Sequence, residues 1–323
     1  MISARRGPFR PGDQVQLTDP KGRRHLVLLA PGRLFHTHRG ALAHDDLIGS
    51  AEGCVVRSSG GTPYVALRPL LADFTLSMTR GAAVVYPKDA AQIVAMTDIF
   101  PGAAVLEAGA GSGALSCWLL RAVGNDGLLV SYERREDFAE VARTNVERFF
   151  GGPHPAWQLR VGALPTVEPA SPAVASADPA EFSAERTEPG DPPDPGPLTD
   201  PADGLEQGAF DRVVLDMLAP WECVGTVAHA LAPGGVVCCY VATVPQLSRT
   251  VETLRGHGAF LEPSAWESIS RDWHADGLAV RPEHRMVAHT GFLVTARRLA
   301  HGTTAPPRRR RPGGGAASPG PAW

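Results

Sequence analysis

Apolar positions change period along this chain, and the change divides it. Between residues 12 and 67 they alternate in short runs broken by turn residues. QVQLTD and HLVLLA flank Pro20-Lys21-Gly22, and CVVRSS and PYVALRP flank Gly60-Gly61. Alternation of period two interrupted in this way predicts two β-hairpins. A β module of about 55 residues buries too little surface to stand alone, so it should pack on the larger C-terminal part of the chain.

From about residue 87 the pattern becomes helical. AAQIVAMTDIF has helix spacing and stops at Pro101-Gly102. Thereafter strands and helices alternate: AAVLEA then GALSCWLLRAVG, LLVSYE then EDFAEVARTNVERFF, and the strand WQLRVG. After an interruption come the strand RVVLDM, the helix WECVGTVAHAL ending at Pro233-Gly234-Gly235, the strand GVVCCYVA and the helix QLSRTVETLRGHG. FLVTARRL closes the series and is expected to run antiparallel, following AWESISRDW. Such alternation means βαβ crossovers and a largely parallel sheet.

The interruption is residues 168–207, which hold nine prolines, ten acids and only Arg186 as a base, without apolar periodicity. A segment of that kind gains too little from burial to offset its ordering entropy and is expected to be a disordered loop. The chain therefore reads as a flexible N-terminus (1–11), a small β domain (12–68), an α/β domain (69–300) carrying the acidic insert, and a disordered basic tail (301–323) with Arg308 to Arg311. The net charge of −3 is misleading in that light, because the insert alone carries −9 and the remainder +6. A mildly basic body is compatible with an RNA partner. Cys54, Cys117, Cys223, Cys238 and Cys239 form no CxxC pair and no His cluster has metal-ligand spacing, so neither a disulfide framework nor a metal is expected. MISARRGPFRPG lacks an apolar signal core and the longest apolar run, Val236 to Val244, is too short to span a bilayer, which points to the cytoplasm and away from a membrane.

The chemistry concentrates in Leu106-Glu107-Ala108-Gly109-Ala110-Gly111-Ser112-Gly113-Ala114, which joins a buried strand to a helix. Glycines at alternate positions permit a tight turn and close approach of a ligand to the main chain. The acidic Glu107 before them suits an ammonium group, held directly or through water, and would repel a pyrophosphate. Glu133 ends the next strand, where a carboxylate can accept bonds from both hydroxyls of a ribose. Together these favour an adenosine-containing, amino-acid-bearing cofactor, S-adenosylmethionine; the plainer reading is a tight turn with Glu133 capping a helix. Asp216 ends the strand RVVLDM at the carboxyl edge, and Pro220-Trp221 opens a helix behind it. That fits the handling of a planar base, or else a capping Asp with a core Trp.

MTRGAAVVYPKDAAQIV (78–94), VLEAGAGSGALS, VVLDMLAPWE and YVATVPQLSRTVETL resemble the tRNA adenine-N1 methyltransferases that act on the T-loop adenosine at position 58, especially their actinobacterial branch. FHTHRGALAHDDLIG (35–49) and GLAVRPEHRMVAHTGFLV (277–294) are similar to that family as well. The resemblance spans 12–300 apart from the insert. It implies a Rossmann-like methyltransferase fold with a mostly parallel seven-stranded sheet, S-adenosylmethionine as cofactor, tRNA as partner and a homotetramer. Gly109, Gly111, Ser112, Gly113 and Ala114 would hold the methionine part of the cofactor, Glu133 the ribose, with Gly162 and Ala163 by the adenine. Asp216 would face the reaction centre, with Tyr86 beside the cofactor or base unless it is a core aromatic. His289 and Thr290 match a family pair near the pocket, with a structural role expected. One position departs from the pattern: Ala163 stands where family members carry an Asp that bonds the adenine amino group. The other readings are a class I methyltransferase acting on protein isoaspartyl groups and a catalytically silent RNA-binding subunit.

Overall fold

The computed structural model describes residues 6–165 and 205–306. Most of the acidic insert and of the basic tail lies outside the described residues.

The N-terminal module holds β1 (Gln14–Thr18), β2 (Arg24–Leu28), β3 (Leu34–Thr37), β4 (Gly40–Ala43), β5 (Val55–Arg57) and β6 (Pro63–Leu67). An antiparallel sheet of order β2-β1-β6-β5 contains both expected hairpin strand pairs, and β3-β4 forms a separate hairpin. Inward positions Val15, Leu17, Val27, Tyr64 and Ala66 make its core, as period two requires. Phe9 is buried in the same core, its backbone paired with Ser50 and Gly49. The Arg68 guanidinium lies 4.9 Å over the Phe9 ring, donates to the carbonyls of Gly7 and Pro8, and pairs with Asp13 and Glu52. The expectation of a flexible terminus over 1–11 therefore fails from Gly7 onward. An apolar side chain in a terminal tail is captured when a neighbouring surface can bury it.

After the module come α1 (Leu71–Ser77) and α2 (Pro87–Met96), then β7 (Ala104–Ala108), α3 (Ala114–Val123), β8 (Leu128–Glu133), α4 (Glu136–Phe150), β9 (Trp157–Val161), β10 (Phe210–Asp216), α5 (Val224–Ala230), β11 (Leu231–Val241), α6 (Val244–His257), β12 (Ser264–Trp266), β13 (Trp273–Asp276), β14 (Ala279–Pro282) and β15 (Phe292–Arg297). Seven strands form one sheet of order β12-β15-β11-β10-β7-β8-β9, parallel except at β15, which is antiparallel to both β11 and β12. Local sequence explains the helix limits. Pro87 opens α2 at its first turn, Thr243 and Gln246 form a capping box on α6, and α4 and α6 stop at left-handed Gly151 and Gly258. The helix expected to reach Pro233-Gly234-Gly235 ends earlier, at Ala230, and Leu231 already pairs with Phe210. Pro233 cannot continue a helix, and the residues before Val236 are absorbed as a bulge against β10.

The sheet separates two cores. One face packs Val105, Leu129, Val214, Cys238 and Leu293 under α1, α2 and α3. The other packs Leu106, Val130, Val213, Val237 and Val294 under α5 and α6. Leu205 is buried in this second core, and its carbonyl lies 3.0 Å from His229 Nε2, so the final residues of the 168–207 segment belong to the folded body. No helix among the described residues is long and apolar enough to cross a membrane.

Truncation of a buried side chain leaves a cavity as well as removing transfer energy. Phe9→Ala should cost about 3–5 kcal/mol and Leu205→Ala about 2–5 kcal/mol, read from denaturant unfolding. A Phe9→Ala protein as stable as the parent would return residues 7–11 to the flexible tail.

Candidate active site at the carboxyl edge of the sheet

In-register parallel strands point paired side chains to the same face. Val214 pairs with Glu107, Glu107 with Ser131, Glu133 with Val161, and Asp216 with Tyr240. Glu107, Ser131, Glu133, Asp216 and Tyr240 thus share one face, continuing toward the carboxyl edge the rows whose deeper members are Val105, Leu129, Val214 and Cys238. The same alternation that builds the core aims the polar residues at a common site.

The glycine loop closes that site from above. Gly109 has φ +89°, and a Cβ there would lie 1.9 Å from the Asp216 carbonyl oxygen. Only glycine lets the loop rest on the end of β10. Gly113, at φ +76°, would bring a Cβ to 3.0 Å from the backbone of Ala142 on α4. Gly111, also left-handed at φ +54°, differs in its surroundings: its N–H donates to Glu133 Oε2 at 2.8 Å, and a Cβ would meet only Ala82 at 3.5 Å. Ser112 is buried, with Oγ accepting from the N–H groups of Gly81 and Ala82, so its side chain ties the loop to the segment leading into α2. Buried Asn145 donates to the carbonyls of Thr79 and Ser112 and completes this clip. Ala114 begins α3 and is buried.

Glu133 accepts from Gly111 N–H and, through Oε1, from Arg135 N–H at 3.0 Å, so it organises the loop and retains lone pairs for a ligand's hydroxyls. Gly162 donates to the Glu133 carbonyl at 2.7 Å, bringing Ala163 to the same edge with no polar side chain. Glu107 lies wholly beneath the loop. Its Oε2 accepts from Ser116 at 2.7 Å and Ser131 at 2.5 Å, whereas Oε1 is buried without a partner among the described residues. Burial pushes its carboxyl up to about 7 against the two hydroxyl bonds, and the charge of Glu133 adds to the rise. Burial likewise lifts Asp216 to about 7, helped by the charges of Glu107 and Glu133. Three carboxylates converge without an ion pair to any of them among the described residues. Such a site is short of positive charge, and the sulfonium and ammonium of S-adenosylmethionine would supply it.

Tyr86 is the N-cap of α2; it is half-buried and absent from the apolar core around that helix. Lys88 and Asp89 follow it into a connected polar network. Lys88 Nζ bonds Asp89 Oδ1 at 2.7 Å, the Ser268 carbonyl at 2.7 Å and Thr290 Oγ1 at 2.6 Å. Asp89, fully buried, also accepts from Ser268, Thr290 and the Tyr240 hydroxyl. His289 bridges Glu267 at 2.8 Å and the Ala242 carbonyl at 3.0 Å, and those two acceptors raise its pKa. The side chains of Thr290 and His289 are thus engaged by the protein's own groups. Sequence reasoning missed Tyr240, Lys88 and Asp89 as members of the site. The available signal for Tyr240 was an aromatic at the carboxyl end of the strand following Asp216, CCYV. Gly291 lets the 289–291 segment cross that ring, since a Cβ there would lie 2.5 Å from it.

A cavity of about 390 Å³ lies between the N-terminal module and the final turns of α3 and α4, lined by Arg68, Leu120, Arg121, Arg148 and Phe149. It opens at the amino edge of the sheet, away from these residues. No group of three or more His, Cys, Asp or Glu among the described residues could hold a metal ion.

A mostly parallel sheet with an acidic residue before a glycine loop, a second carboxylate one strand over and a negatively charged site defines a class I, S-adenosylmethionine-dependent methyltransferase. Residues 7–56 match the TrmI-like N-terminal family, and residues 64–149 and 202–278 match the tRNA methyltransferase complex GCD14 subunit family. The chain is 33% identical over 287 residues to the tRNA (adenine(58)-N(1))-methyltransferase TrmI of Thermus thermophilus, covering 87% of this chain and 95% of that one. It is 32% identical over 285 residues to the tRNA (adenine(57)-N(1)/adenine(58)-N(1))-methyltransferase TrmI of Methanocaldococcus jannaschii, covering 87% and 93%. A crystal structure described as a SAM-dependent O-methyltransferase from Thermotoga maritima superposes with TM-score 0.74 at 27% identity, covering 96% of this chain and 99% of that one. The fold is also that of the Aquifex aeolicus TrmI structure, at TM-score 0.69 and 23% identity, covering 91% and 99%. The chain belongs to the TrmI family of tRNA methyltransferases.

The two loop glycines should respond differently. Gly109→Ala should reduce cofactor affinity by more than tenfold and lower the melting temperature, because the loop must leave β10. Gly111→Ala should be milder on both counts. Glu133→Ala should weaken cofactor binding by about 1.5–3 kcal/mol. Calorimetry with S-adenosylmethionine measures all three, and equal effects of the two alanines would contradict the close approach.

Proposed function

We propose that this protein methylates N1 of adenosine 58 in tRNA, with S-adenosylmethionine as donor. The observation that carries the reading is Asp216 at the carboxyl edge, against the glycine loop and in register with Tyr240. Relatives named for this reaction, aligned over most of both chains, support the same substrate.

When bound, S-adenosylmethionine supplies a methyl group already activated by its sulfonium charge. The protein's part is then to orient the nucleophile and exclude water. Adenine N1 carries a free lone pair, but the base must leave its stack to reach a buried edge. As N1 attacks, positive charge spreads to the exocyclic amine. Ionised Asp216, accepting from that amine, binds more strongly as the charge develops, which lowers the barrier rather than merely holding the substrate. Tyr86, at the N-cap of α2, is assigned beside the cofactor or base, and Tyr240, in register with Asp216, is held by Asp89. Glu133 serves the ribose of the cofactor, Glu107 lends negative charge to its amino-acid end from beneath the loop without touching it, and Ala163 leaves the adenine to backbone groups and apolar contact.

Residues 6–68 carry nine Lys and Arg against five Asp and Glu, a basic surface suited to RNA phosphates. We propose the cytoplasm as the compartment and a homotetramer as the working form. The assembly is supported by the β13-β14 hairpin, which exposes Trp273 at 63%, Leu278 at 104% and Val280 at 61%. Apolar groups presented together on an arm are typical of contact between subunits.

Mass spectrometry of nucleosides from tRNA treated with enzyme should detect N1-methyladenosine at position 58, and its absence would remove the reading. The ionised form of Asp216 is the active one, so kcat/KM at limiting cofactor should rise with pH through about 7 and level off above it. Asp216→Asn should shrink that step to the part contributed by Glu107, which burial also lifts to about 7, and lower kcat by about 100-fold or more. Light scattering should report about four times 34.1 kDa, and a fully active monomer would refute the tetramer.

A further inference from the structure

Beyond the residues proposed to hold cofactor and base, the carboxyl edge carries two exposed aliphatic side chains to which the methyl transfer assigns no role. Leu218 follows Asp216 by two residues and is 84% exposed. Val244, at the first turn of α6, is 63% exposed. Exposed aliphatic residues are common, but these two are held rather than left loose. Gln246 Nε2 donates to the Leu218 carbonyl at 3.0 Å. The same side chain's Oε1 accepts from Ala242 N–H at 3.2 Å and Thr243 N–H at 3.0 Å. One glutamine thus fastens the Leu218 loop to the start of α6. Pro220 is buried and Met217 packs against the second core, so Leu218 is the exposed member of an otherwise anchored loop. On α6 with Val244, the Arg249 guanidinium lies 4.5 Å over the Trp221 ring and, among the described residues, forms no ion pair.

We propose that Leu218, with Val244 behind it, is a wedge that enters the RNA base stack where the target adenine is turned out, and that Arg249 meets an adjacent phosphate. The inference rests on the adenine-N1 reading. A base leaving a stack exposes the faces of its neighbours, and an apolar side chain that fills the gap replaces the lost contact. A rigid loop does this better than a mobile one, because little side-chain or backbone entropy is lost on insertion. The cation beside it positions the strand without reading sequence. Leu218 is therefore a positioning residue: it touches the neighbours of the reacting base, not the reacting atoms.

The test uses the full-length enzyme and a tRNA transcript carrying 2-aminopurine next to position 58, whose fluorescence rises on unstacking. Leu218→Ala should lower kcat on unlabelled tRNA at least tenfold, leave KM for tRNA within about threefold and S-adenosylmethionine affinity unchanged, and at least halve the fluorescence rise. Leu218→Met, which restores an apolar side chain of similar length, should recover both signals. Gln246→Ala, which unfastens the loop, should reproduce the loss in part. Wild-type turnover or a full fluorescence rise in Leu218→Ala would overturn the wedge. So would a change in mass by light scattering, which would make Leu218 a contact between copies. If wild-type enzyme forms no N1-methyladenosine, the proposed reaction fails, while the fluorescence comparison still decides the wedge.

Discussion

The site depends on one close approach: the main chain at Gly109 rests on the carbonyl of Asp216, where a Cβ would lie 1.9 Å away. That contact fixes the height of the glycine loop above the sheet. It also puts the residue proposed to hold the target base against the loop proposed to hold the cofactor. The loop is then secured from two further sides, by Glu133 on Gly111 N–H and by Asn145 and Ser112 on the segment that leads to Tyr86. Each tie uses a backbone group of the loop or a side chain beside it, so the loop's shape is set before any ligand arrives. Such preorganisation is what electrostatic catalysis requires.

Two buried polar clusters face each other across the end of β11, and they are built on opposite principles. Around Asp89 every charge is matched: Lys88, Ser268, Thr290 and Tyr240 all bond into one network. A satisfied network of this kind stiffens what it joins, here α2 to the strand end and to the 267–290 segment. Around Glu107, Glu133 and Asp216 the charges are unmatched, and Glu107 Oε1 has no partner among the described residues. Burial without compensation raises the pKa values of Glu107 and Asp216, and it makes the site favour a cation. The first cluster holds the walls, and the second supplies the binding potential.

Much of the fold was legible because its period is strong. The strands AAVLEA and LLVSYE, the helix EDFAEVARTNVERFF and the antiparallel closing strand all appear where alternation and helix spacing put them. The small elements were not legible. The β3-β4 and β13-β14 hairpins have strands of four residues with mixed or polar composition, and α1 lacks a capping side chain. Short segments like these are stabilised by the surfaces they pack on, so local pattern carries little of their signal. Phe9 and Leu205 illustrate the same limit: each is a single apolar residue at the edge of a polar stretch, and each is buried by a core built elsewhere.

The sequence by itself determined the class of fold, the glycine loop with its carboxylates and the position of Asp216, because these follow from spacing along one strand and its turn. Only the tertiary structure decided which groups share a face and a neighbour. Tyr240 meets Asp89 across 151 residues of chain, and Lys88 meets Thr290 across 202. It also decided that the Ser112 hydroxyl is engaged by the segment before α2 and that Glu107 is sealed beneath the loop with one oxygen unpartnered among the described residues. Periodicity encodes the direction of a side chain relative to its own strand, whereas burial, pairing and charge at the site depend on the register between strands that the sequence places far apart.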